Sequence, residues 1–198
     1  MKTVVERSKS KSKCGSKYIV INIDEAGRGC MAGPVYAGAV VMADEAAHNP
    51  LIKDSKKLSA KKREKACEYV EAHADACAVG FASAEEIDEI NILQATFLAM
   101  HRAVDGVLAQ LNVPEPEVAE RVRLIVDGKW FKPYVTSEGV IPYDCVIRAD
   151  ATIPGVAAAS IMAKVYHDRA VRAYCKKHPL FAEQYGFQKH MCYGTQRH

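Results

Sequence analysis

Residues 18–29 read YIVINIDEAGRG and residues 34–42 read PVYAGAVVM. Both apolar runs are rich in β-branched residues, and a glycine-dense stretch separates them, so they read as strand, tight loop, strand. Two adjacent antiparallel strands are the simplest outcome. Outward from this hairpin, Ser59 caps a helix through AKKREKACEYVEAHA, with Ala66, Tyr69 and Val70 on one face. Residues 76–82 form a short strand. Ser83-Ala-Glu-Glu86 has the form of a capping box and opens a short helix near Ile87. A longer helix over 92–111 follows, its apolar stripe running through Leu93, Phe97, Met100, Val104, Val107 and Leu111. Residues 112–120 are expected to be a loop, residues 122–127 and 144–149 strands, and residues 156–174 a helix of small residues that packs closely against a sheet. The order β-β-α-β-α-α-β-β-α implies an α/β domain with a mixed central sheet flanked by helices. There is no internal repeat.

The 198-residue chain is 49% hydrophobic and 26% charged, which suits one globular domain and excludes collagen-like or disordered classes. No apolar run reaches the length of a membrane span, and the N-terminus lacks the apolar stretch of a signal peptide, so a soluble cytoplasmic protein is expected. The seven cysteines are scattered, without a CxxC pair, and read as reduced, with Cys67, Cys77 and Cys145 as small core residues. The histidines form no ligand pair and are assigned surface or structural roles. Trp130, after VDGK, is expected to be a partly buried anchor, with contact to substrate as the alternative.

Charge is uneven. Residues 1–17 carry six Lys or Arg against one Glu, and this Ser/Lys arm is expected to be disordered. Residues 18–159 carry 14 basic and 21 acidic side chains, and residues 160–198 seven basic and two acidic. An acidic body between basic ends suits a protein that holds metal at its centre and meets a polyanion at its ends, although solvated faces give the same layout. Residues 18–175 are expected to form the domain and 176–198 a basic, loop-rich appendage with aromatic residues.

Acidic residues at the ends of apolar strands need a reason. Asp24 and Glu25 close the first strand, Asp127 closes RLIVDG and Asp150 closes CVIRAD. Like-charged carboxylates converge only where a cation offsets their repulsion, and a hard divalent ion such as Mg²⁺ prefers oxygen ligands. Spacing leaves open whether the four meet, because Asp24 and Glu25 point to opposite faces of an ideal strand. Gly27, Gly29 and Gly33 serve either a tight turn or close backbone approach to a ligand, with Arg28 pinning the loop or touching phosphate. The loop is not a GxGxxG or Walker fingerprint.

Taken together, IDEAGRG (23–29), GPV (33–35), KDSKKLS (53–59), EEIDEINILQAT (85–96), AMHRAV (99–104), VDG (126–128), ADATIPGVAAASIMAKV (149–165) and YGFQKHMCYGT (185–195) resemble type 2 ribonuclease H, in its bacterial form ribonuclease HII. The resemblance spans residues 18–198. It implies the ribonuclease H-like fold, a mixed central sheet flanked by helices with a short C-terminal helical and loop appendage. It also implies a metal-dependent endonuclease that cuts the RNA strand of RNA–DNA hybrids and nicks 5′ to single ribonucleotides in duplex DNA, leaving 3′-hydroxyl and 5′-phosphate ends.

By motif, Asp24, Glu25, Asp127 and Asp150 correspond to the carboxylates of a two-ion site for Mg²⁺ or Mn²⁺. Gly27, Arg28 and Gly29 correspond to the loop that reads the 2′-hydroxyl, and Tyr193 to the tyrosine that packs on the following deoxyribose. Lys56, Ser160 and Lys164 match positions near substrate phosphate. A monomer acting on nucleic acid, away from membranes, is implied.

The chain departs from the family in having Met191-Cys192 where Lys-Gly is usual and His167-Asp168 where Arg-Asp is common. That leaves Asp168 either an accessory carboxylate or a surface ion-pair member. Many members continue past the CYGT block, and a missing stretch would weaken substrate grip. A non-catalytic nucleic-acid binder and a metal enzyme on a small phosphorylated substrate are the rivals; the intact four carboxylates disfavour the first, the basic ends and missing phosphate loop the second.

Overall fold

A computed structural model describes residues 18–195. The basic arm over 1–17, Cys14 included, lies outside them. In chain order the strands are β1 (Ile19–Ala26), β2 (Val35–Val41), β3 (Ala76–Ala82), β4 (Val122–Asp127), β5 (Val135–Thr136), β6 (Gly139–Val140) and β7 (Tyr143–Val146). The helices are α1 (Asp44–Ala47), α2 (Ala60–His73), α3 (Ala84–Leu111), α4 (Glu115–Arg121), α5 (Ala149–Thr152), α6 (Pro154–Lys177), α7 (Pro179–Tyr185) and α8 (Phe187–His190), with a 3₁₀ turn at Ser55–Lys57. The main sheet has the order β3-β2-β1-β4-β7, with β1 antiparallel to β2 and parallel to β4. The sheet is mixed, as expected, and the first two strands form the expected antiparallel pair.

Strand alternation divides the core in two. Ile21, Ile23, Ala37, Leu124 and Val126 face α3 and its buried Met100, Val104 and Val107, while Val40 faces α2 and α6 through Ala66, Val70, Ile161 and Met162. Each fully buried Ile or Leu contributes about 1.5–3 kcal/mol. Two glycines set how close the helices lie. A Cβ at Gly38 would stand 2.3 Å from Ala159 O of α6, and one at Gly80 would stand 2.2 Å from Ala99 O of α3. The small-residue run of α6 meets a strand without a side chain at the contact, so the helix rests on the sheet backbone.

Both expected caps form: Ser59 Oγ accepts from Lys62 N, and Ser83 and Glu86 make the reciprocal box. The expected break before residue 92 is a kink at Asn91 (φ 66°), whose Oδ1 accepts from Leu93 N and Gln94 N and restarts the helix.

Four local readings need correction. Residues 112–120 are not a loop throughout: α4 begins at Glu115, with Pro114 at its N-cap and Pro116 in its first turn, where no N–H is required. The last strand stops at Val146, and Arg148 in the left-handed region (φ 57°) turns the chain into α5. The C-terminal segment is more helical than expected, α7 and α8 packing on the end of α6 through Val171, Cys175, Ala182 and Phe187. Trp130 is 74% exposed, because the neighbouring Phe131 takes the core position. Among the described residues no helix is long and apolar enough to cross a membrane, and the six described cysteines are free thiols, Cys67 buried but Cys77 and Cys145 only partly so.

Candidate active site

The four acidic residues sit at one end of the main sheet. The β1–β4 register pairs Ile23 with Val126, which sets Asp24 beside Asp127 on adjacent parallel strands. Asp127 Oδ1 accepts from Ala149 N at 2.6 Å, tying it to the start of the short helix that carries Asp150. Asp150 therefore does not close a strand. It is brought to the sheet end by the turn at Arg148. Asp24 and Glu25 do not share a face: Asp24 is buried towards α6, with a hydrogen bond to Ser160, while Glu25 lies against Arg28 and the α3 side.

The electrostatics of this end are unfavourable without a cation. Burial, then repulsion from Glu25 and Asp127, holds the Asp24 carboxyl well above the ordinary carboxylate range despite hydrogen bonds from Ser160 and Glu25 N. Burial also raises Glu25, with Arg28 opposing and Asp127 reinforcing. Asp127 is raised by burial and by Asp150, against the Ala149 hydrogen bond. Two cations partly relieve the cluster, Lys56 Nζ at 3.3 Å from Asp150 Oδ2 and Arg28 at 3.8 Å from Glu25. Among the described residues no three His, Cys, Asp or Glu side chains are drawn into a set that would hold a metal ion as they stand. The donor chemistry nevertheless fits a hard divalent ion: oxygen only, largely buried, and short of positive charge.

Beside the carboxylates, the 27–29 loop is clamped to the C-terminal segment. Gly27 N donates to Tyr193 Oη at 3.2 Å, Met31 N donates to Cys192 O at 2.8 Å, and Cys30 forms an isolated bridge with Tyr193. Gly27 has φ 97°, and a Cβ there would stand 2.8 Å from His167 Cδ2, so no larger residue fits. Burial, with Cys30, pushes the Tyr193 phenol up to about 12, which keeps it neutral.

His167 and Asp168 are where reading the sequence fell short. His167 is fully buried beneath this loop, with Nε2 3.4 Å from Cys30 Sγ and Nδ1 3.1 Å from Asp168 Oδ1. Asp168 also binds Arg63 Nη1 at 3.1 Å and Lys164 Nζ at 2.8 Å. It is an ion-pair hub, but a buried one and not the surface pair expected, because Arg63, Lys164 and His167 enclose it. Lys164 Nζ in turn lies 4.5 Å from the Tyr193 ring centroid. The two departures from the family meet here, because the Cys30 thiol also donates to Met191 O at 3.4 Å. Met191 and Cys192 both take left-handed conformations (φ 49° and 64°), held by the bonds on either side of them. Ser160 is buried and bonded to Ser55 Oγ at 2.9 Å, so its hydroxyl supports Asp24 rather than facing solvent.

The ribonuclease HII family profile matches residues 21–198. A ribonuclease HII of Porphyromonas gingivalis is 42% identical over 175 residues, 88% of this chain and 78% of its own. Among solved structures, the ribonuclease H2 of Pyrococcus horikoshii OT3 is similar with a TM-score of 0.63 and 27% identity, over 82% of this chain and 78% of that one. Bst-RNase HIII, solved in complex with Mn²⁺, is similar with a TM-score of 0.59 at 22% identity, over 78% of this chain and 56% of that one, and shares the fold. Matched over most of its length by the profile and by such a relative, the chain belongs to the ribonuclease HII family and is an endoribonuclease of the type 2 ribonuclease H class.

Proposed function

We propose that the protein is a metal-dependent nuclease of RNA–DNA hybrids that also nicks duplex DNA 5′ to single embedded ribonucleotides, with Asp24, Glu25, Asp127 and Asp150 as its metal ligands. The observation that carries this reading is the uncompensated cluster at the sheet end, where burial and mutual repulsion raise Asp24, Glu25 and Asp127. A fold keeps such a cluster only where a bound charge offsets the cost. The Mn²⁺ complex of Bst-RNase HIII supports the same choice of ion.

When bound, a pair of Mg²⁺ or Mn²⁺ ions supplies activation of water and stabilisation of the leaving oxygen in an in-line displacement. The protein's own groups do the rest. Asp150 and Glu25 would hold an ion in place of their Lys56 and Arg28 partners, which would leave both cations for substrate phosphate. Backbone groups of Gly27, Arg28 and Gly29 read the 2′-hydroxyl, which both donates and accepts a hydrogen bond. That hydroxyl is recognised and not used as nucleophile, so the products carry 3′-hydroxyl and 5′-phosphate ends. Tyr193 packs on the deoxyribose that follows, with Lys164 over its ring and Ser160 bracing Asp24.

The test is cleavage of a labelled duplex bearing one ribonucleotide, in Mg²⁺, in Mn²⁺ and in EDTA, beside an all-DNA control. A metal-dependent nick that leaves the ribose at the 5′ end of the downstream fragment is expected. Binding without cutting in either metal would replace this reading with a non-catalytic one.

A further inference from the structure

The carboxylate cluster has a second flank. A cleft of about 320 Å³, which Tyr193 does not line, runs from Glu25, Arg28 and Asp127 to Trp130, with Phe97 and Met100 of α3 along it. The Trp130 indole is 74% exposed, yet the residues around it are fixed. Gly128 (φ 115°) turns the chain out of β4, with its N–H bonded to Val146 O at 3.0 Å. On the other side of the indole, Phe131 is buried edge-on against Phe97 and Tyr143. An apolar ring displayed in water from such a firm base contributes nothing to the core. It stands beside two cations, Arg28 and Lys129, on a cleft that opens into the candidate active site.

An exposed aromatic face flanked by cations matches one ligand chemistry in particular, the base and phosphate of a nucleotide: bases of any sequence stack on such a ring while cations hold the backbone. The order of parts along this end of the protein then gives a polarity. Tyr193 meets the 27–29 loop at Gly27, and that loop's Arg28 shares the cleft with the carboxylates Glu25 and Asp127 and with Trp130, whereas Tyr193 does not line it. Resting on the function proposed above, Tyr193, the loop, the carboxylates and Trp130 correspond to the downstream deoxyribose, the ribonucleotide, the scissile phosphate and the nucleotide before it. We propose that Trp130 is a stacking platform for the nucleotide immediately 5′ of the scissile phosphate, with Lys129 against its backbone. Trp130 and Tyr193 then hold the substrate strand on both sides of the bond that breaks.

Trp130 is the only tryptophan in the chain, so its fluorescence reports this contact alone. In EDTA, emission should change as a ribonucleotide-bearing duplex binds, with binding followed separately by anisotropy of the labelled duplex. In metal, Trp130→Ala should lower kcat/KM by about tenfold, the effect of losing one base-stacking contact. An abasic residue immediately 5′ of the ribonucleotide should cost the unsubstituted protein a similar factor and should cost Trp130→Ala little more. Trp130→Phe, which keeps a ring, should fall less than Trp130→Ala.

Unchanged emission on a bound duplex, an unchanged kcat/KM in Trp130→Ala, or penalties that multiply between variant and abasic site would each overturn the platform while ribonucleotide cleavage stands. A protein that cuts no ribonucleotide duplex in either metal overturns the functional reading, and the platform with it.

Discussion

Asp24 on β1 and Asp168 on α6 are both buried carboxylates, and they stand in opposite conditions. Burial alone pushes the Asp168 carboxyl up, but hydrogen bonds from His167 and Lys164 and the Lys164 charge outweigh it and hold the group below its ordinary range. At Asp24 burial acts in the same direction, and the nearest ionisable groups, Glu25 and Asp127, add to it. A carboxylate that the fold relies on is surrounded by cations. One that the fold merely tolerates is left beside its own kind, which is the mark of a site kept for a ligand. On this contrast Asp168 belongs to the scaffold under the 27–29 loop, and Asp24 to the site proposed above.

The largest test of that contrast is cleavage. Asp24→Asn, Asp127→Asn and Asp150→Asn should each abolish it while duplex binding stays measurable, and a variant that keeps the original rate loses its place among the ligands. Stability should divide the other way. Asp168→Ala leaves Arg63 and Lys164 without their buried partner and should cost about 3–5 kcal/mol in urea unfolding. A cost below about 1 kcal/mol would show that the hub is no part of the scaffold.

Acidity offers a smaller test with a definite sign. The raised Asp24, Glu25 and Asp127 bind protons more readily folded than unfolded, so above the ordinary carboxylate range of about 4 they lower stability as pH rises. Asp168, held low, contributes stability above that range and loses it as pH falls through its own lowered value. Metal-free protein should therefore gain thermal stability on going from pH 7 to pH 5. Asp24→Asn should be the more stable protein at pH 7 and show a flatter profile. An unchanged slope in that variant would mean Asp24 is not among the raised groups.

The same contrast marks what the sequence makes legible. The β1–β2 hairpin could be read because its apolar runs and intervening glycines encode strand and turn locally. The capping box and the start of the second half of α3 were equally local. Asp24, Glu25 and Asp127 could be picked out because a charge at the end of an apolar run is anomalous where it stands. The burial of Asp168 could not be read, because its decisive partner Arg63 lies 105 residues away and a Lys164–Asp168 spacing of four reads as an ordinary surface pair. The strand assigned around Asp150 ran too far because the turn is made by Arg148, a non-glycine residue in the left-handed region. Between anchor and substrate contact, the sequence around Trp130 does not choose, and the packing of Phe131 in the core is what leaves the indole outside.

The smallest expected effect asks how the buried hub acts on substrate. Tyr193 touches both partners in the contrast: its hydroxyl accepts from Gly27 N in the loop beside the carboxylates, and its ring lies under Lys164 of the Asp168 network. Tyr193→Ala removes ring and hydroxyl together and should slow cleavage at a single ribonucleotide by about tenfold, the scale of one stacking contact, with little change in unfolding. Tyr193→Phe keeps the ring and loses the bond to Gly27, which is worth about 1 kcal/mol, so it should slow cleavage by about fivefold or less. If Phe costs as much as Ala, Tyr193 acts by anchoring the loop. If Phe cleaves at nearly the original rate, Tyr193 acts through its ring face, and the Asp168 hub serves the reaction by holding Lys164 over that ring.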